Sequence, residues 1–97
     1  MDARALENRL AIAAGLWRKV VKEPLPKIPP GNPAEQIEQF ELKVVEAVVA
    51  EATPETARTA AEATWDIVHD RPDGDPVKRR VAELHETLAR MSAPELR

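Results

Sequence analysis

The stretch NPAEQIEQFELKVVEAVVAEATPE, residues 32–55, decides the fold. Asn32 is an N-cap, Pro33 fits the first helical position, and Glu35 can reach back as a capping-box carboxylate. The missing amide of a proline at that position costs nothing, because that donor has no helical partner in any case. Ile37, Phe40, Val44, Val45, Val48, Val49 and Ala52 then recur at helical spacing over more than half the circumference. A helix with so wide an apolar arc touches more than one neighbour, so the rest of the chain must supply other helices to cover it.

Working outward, Thr53-Pro54-Glu55 and Asp75-Pro76 repeat the cap-then-proline pattern, and Ser92-Ala93-Pro94-Glu95 has capping-box spacing. Helix 1 is expected over about residues 3–22, capped by Asp2, with Leu6, Leu10, Ala13, Trp17 and Val20 as its stripe and Ala5, Ile12 and Leu16 on a flank. Gly15 costs this helix about 1 kcal/mol against alanine and suggests a close helix approach. Residues 23–32, with Pro24, Pro26, Pro29 and Pro30, form a stiff extended connector from which Leu25 and Ile28 can reach the core. Helix 2 is expected at about 33–52. Helix 3, at about 54–69, carries small Ala57, Ala60 and Ala61, and helix 4, at about 76–91, has the narrow stripe Val77, Val81, Leu84, Leu88 and Met91. The expected fold is all-α: one domain over residues 1–97, a four-helix antiparallel bundle with a proline-rich connector between helices 1 and 2.

Composition agrees. The 97 residues are 43% hydrophobic, but Phe40, Trp17 and Trp65 are the only aromatics, which favours helix over sheet. The absence of cysteine excludes disulfides, thiolate metal sites and a cysteine nucleophile. No apolar run approaches the roughly 20 residues that cross a bilayer, and no secretory signal is visible, so a cytoplasmic location without membrane attachment is expected. The net charge of −3 divides into +3, −7 and +1 over residues 1–30, 31–70 and 71–97, a pattern most simply satisfied between neighbouring helices.

Chemistry is sparse. Glu62, Asp66 and His69 share a helix face at metal-ligand spacing, but no second carboxylate–histidine pair completes a bundle site, and an ordinary charge ladder with Arg58 is favoured. Glu41 falls inside the apolar arc of helix 2, where a carboxylate is either a desolvated acid–base group or, more often, lies where the arc emerges near the helix start or pairs with a basic residue from a neighbour. Lys78, Arg79 and Arg80 open helix 4 against its dipole and are the best nucleic-acid signal. Asp73 and Asp75 beside them and the acidic whole disfavour that reading. Arg18, Lys19, Lys22 and Lys27 suit the exit of helix 1, and the Pro26-to-Pro29 spacing serves a rigid connector before any proline-reading groove.

The expected function is therefore non-enzymatic: a protein–protein interaction or accessory domain. It self-associates or docks through the apolar surface of helices 1 and 2, with Ile12, Leu16, Trp17 and Phe40 as interface residues. A homodimer or a protein partner is expected, with no cofactor, no metal and no small-molecule substrate.

Overall fold

The structure, a computed structural model, describes residues 3–27 and 34–92. Among these it contains helices α1 (Ala3–Val20), α2 (Ala34–Glu51), α3 (Ala57–Val68) and α4 (Pro76–Ser92). None of them is long and apolar enough to cross a membrane. The proposed caps at Asp2 and Asn32-Pro33 and the Ser92–Glu95 box lie at or outside the limits of the described residues, as does Ile28.

The cap at helix 4 forms as the sequence requires. Asp75 Oδ1 accepts from the backbone amides of Val77 at 2.9 Å and Lys78 at 3.0 Å, satisfying two donors that a helix start leaves over. Helix 3 differs from expectation and begins at Ala57 instead of Pro54. Thr53 and Thr56 explain the delay: the Thr53 amide donates to Thr56 Oγ1 at 2.8 Å, and the Thr56 amide donates to the Thr53 carbonyl at 3.0 Å. This closed turn uses the groups that would otherwise start the helix three residues earlier. Helix 1 also stops short. The Val21 amide still donates to the Trp17 carbonyl at 2.8 Å, but Lys22 turns left-handed at φ 60°, the conformation that ends many helices and that glycine adopts most readily.

The helices form a bundle in which α2 touches all three others. The broadest contacts are α1 with α2 and α3 with α4; α2 also meets α4, while the α2–α3 and α1–α3 seams are narrower and the backbones of α1 and α4 do not come close among the described residues. The thinnest dimension over Cα atoms is 15 Å. Two layers of helices with axes about 10 Å apart and a Cα radius of about 2.3 Å account for this thickness. The bundle is thus flattened, and α1 is covered on its α2 side more fully than on its α3 side.

The core runs in two connected patches. Ala13 and Trp17 of α1 pack with Phe40, Val44, Val48 and Val49 of α2, with Ala57 and Ala60 of α3 and with Leu88 of α4. Val45, Ile67, Val68, Val77 and Val81 form the second patch, and half-buried Leu16 and Leu84 border both. Leu25 reaches back onto the first patch from the connector, as expected. The wide arc of α2 is consumed inside the chain, because Ile37, Phe40, Val44, Val45, Val48 and Val49 are all buried. Gly15, by contrast, marks no close approach: it is exposed, and a Cβ built on it meets nothing within 4 Å.

Candidate functional site

Glu41 is fully buried, and two arginines meet it there. Arg9 of α1 donates through Nε to Oε2 at 3.2 Å and through Nη2 to Oε1. Arg71, in the turn between α3 and α4, donates through Nη1 to Oε1 at 3.1 Å and through Nη2 to Oε2 at 2.5 Å. Each carboxylate oxygen therefore accepts from both guanidinium groups, the forked geometry that arginine alone offers. Asp75 Oδ1 lies 3.8 Å from Arg71 Nη1 and adds a second negative charge at the edge. The hydrogen bonds that Arg9 donates to Glu41 raise its pKa above the ordinary guanidinium value, against the opposing effect of burial. Of the sequence readings of Glu41, the cation-paired one describes its geometry, and all its acceptor sites are taken up.

The expected interface residues separate. Trp17 and Phe40 are each only 4% exposed and pack on one another with ring centroids 6.1 Å apart, so neither offers surface to a partner. The indole of Trp17 donates to the Glu23 carbonyl at 2.9 Å and so ties the connector to α1. This corrects the expected docking surface: the surplus on α2 is internal, and what remains outside belongs to α1. Leu16 is half-buried and Ile12 is 56% exposed, the most exposed large hydrophobic side chain among the described residues.

Ile12 stands in the seam between α1 and α3. At one end Ala5, Asn8 and Arg9 of α1 face Asp66, Ile67 and Asp70, with Glu41 below, around a cleft of about 400 Å³. At the other end Leu16, Lys19 and Val20 face Thr56, Thr59, Ala60 and Ala63 around a cleft of about 320 Å³, with Val48 and Ala52 of α2 as its floor. The α1 positions recur every three or four residues, as do those of α3, so the two clefts lie in line along one flank of each helix. The lining shows that the helices run antiparallel here, since the start of α1 lies by the end of α3.

The other candidate residues are dispersed. Glu62 pairs with Arg58 at 3.5 Å on the exposed face of α3, while Asp66 and His69 border the seam; no three metal-ligating side chains converge among the described residues. Lys78 is held internally, its Nζ 2.7 Å from the Arg71 carbonyl, 3.3 Å from Asp73 and 5.5 Å from the centroid of Trp65. Arg80 bonds Glu46 of α2 at 3.0 Å, and Arg79 lines the same α2–α4 cleft, exposed and without an ion pair among the described residues. Two of the three cations at the start of α4 are therefore taken up by carboxylates of the chain itself. Trp65 is 41% exposed, but His85 lies against it at 6.0 Å, and His85 Nε2 is 3.2 Å from Thr64 Oγ1. Lys78 and His85 thus already occupy the surroundings of this indole.

Arg9 is the residue that sequence reasoning missed with a signal in hand. It falls between Leu6 and Ala13 within the apolar stripe of helix 1 and pairs with the one carboxylate inside the stripe of helix 2. Arg71, in a turn, carried no such signal.

Fold and seam together define a small all-α bundle with an open groove between α1 and α3. Compared with known proteins, the chain matches no family model, no curated protein and no solved structure.

Proposed function

We propose that this chain is a non-enzymatic interaction module that receives a helix of another protein chain in the α1–α3 seam, with Ile12 as the central contact. The exposure of Ile12 carries this reading, because it lies in a concave, partly apolar seam instead of standing alone on a convex surface. Small side chains on the α3 wall, Thr59, Ala60 and Ala63, let a helix backbone approach closely. The saturated carboxylate of Glu41 leaves the most deeply buried acid among the described residues in a bracing role under the seam. On this reading the chain works in the cytoplasm, in keeping with a cysteine-free sequence that needs no oxidising compartment.

The test is a photo-crosslinking side chain placed at position 12 and, as a control, at exposed Thr87 on α4, in the native host. A discrete protein adduct from position 12 and none from position 87 is the expected result. Equal or absent adducts from both positions would overturn the reading.

A further inference from the structure

We infer that the occupant of the seam is a second copy of this chain, related by a two-fold axis beside Ile12, with each α1 laid antiparallel along its partner's. This rests on the reading of the seam as a helix-receiving groove and goes further by naming the helix.

The argument is one of self-complementarity. Lys19 is exposed at the apolar end of the seam, and Asp66 and Asp70 are exposed at the other end; none of the three has an ion pair among the described residues. A two-fold axis through Ile12 reverses the direction of the incoming α1. Ile12 then meets the partner's Ile12, and the partner's Lys19 arrives near Ala5, where Asp66 and Asp70 face it across the seam. The same operation sends Lys19 to the partner's Asp66 and Asp70. Every complementary contact is made twice, as an isologous interface requires. The apolar centre supplies the burial, and the rim charges fix direction and register. A parallel arrangement would instead bring Lys19 beside the partner's Lys19 and leave both aspartates unanswered.

Sedimentation equilibrium of the purified full-length chain tests this directly. The wild type is expected to be a monomer–dimer equilibrium at micromolar concentrations. Lys19→Glu, or Asp66→Lys with Asp70→Lys, should each weaken dimerisation by at least about tenfold. The three substitutions combined in one chain should restore it, which a merely misfolded variant would not do. Ile12→Glu should give a monomer whose helical circular dichroism matches the wild type. A wild-type chain monomeric at millimolar concentration would overturn the inference, as would a dimer indifferent to all these changes. A position-12 adduct to a different protein would also overturn it while leaving the interaction-module reading in place.

Discussion

Arg9 and Arg71 hold the same carboxylate from two different elements, so Glu41 fastens both α1 and the α3–α4 turn to α2. Removing one member of such a group leaves uncompensated charge in a dry site. Glu41→Gln therefore should cost about 3–5 kcal/mol, read as a drop in the urea midpoint. Replacing all three with apolar residues of similar volume should cost far less, because a well-packed apolar contact rivals a buried ion group. The pKa of Arg9 is raised, so its contribution is complete below the ordinary guanidinium value and is lost only above the raised one. The stabilisation tied to Arg9 should accordingly persist between about pH 7 and about pH 10.

Asp75 has two roles, capping α4 through Oδ1 and standing 3.8 Å from Arg71. Asp75→Ala removes both and should lower stability by about 1–2 kcal/mol, whereas Asp75→Asn keeps the cap acceptor and should lose less than half of that. Thermal unfolding of the two variants side by side separates the cap from the charge.

The elements that the sequence predicts well are those whose determinants are local. Asp75-Pro76 specifies the start of α4 because cap and proline act within one turn, and the stripe of α2 specifies its burial because helical spacing is local too. The delayed start of α3 depends on the reciprocal bonds of Thr53 and Thr56, which compete with the helix and are invisible to a cap-then-proline rule. The seam was legible only in part. Ile12 and Leu16 were placed on a flank correctly, but whether a flank is covered depends on which helix lies beside it, and the narrow α1–α3 contact is a property of tertiary packing.

One backbone position in α1 and one just beyond its end are left below their best local choice. Gly15 is exposed with open space where a Cβ would stand, so Gly15→Ala should raise stability by about 1 kcal/mol through helix propensity alone. Lys22 occupies a left-handed conformation at φ 60°, and Lys22→Gly should gain up to about 1 kcal/mol by removing the Cβ clash. Because these sites lie seven residues apart in sequence and share no partner among the described residues, the gains should add in the double variant. Chemical denaturation of the four chains completes the cycle.

Ile12 and Trp17 are five positions apart on α1, and one truncation at each distinguishes a surface for binding from a core for folding. Trp17 packs on Phe40 and anchors the connector through Glu23, so Trp17→Ala should cost about 3–5 kcal/mol at any protein concentration. Ile12 is mostly exposed within one chain, so Ile12→Ala should change monomer stability by no more than about 0.5 kcal/mol. If the seam pairs two chains, the wild type gains stability with concentration by mass action, and Ile12→Ala should flatten that dependence while Trp17→Ala preserves its slope in whatever fraction still folds. Thermal midpoints measured across a hundredfold range of concentration, about 1 μM to about 100 μM, read both effects from one experiment. A midpoint for Ile12→Ala that falls as far as that of Trp17→Ala in dilute solution would place Ile12 in the core and remove the physical basis for the seam as a docking surface.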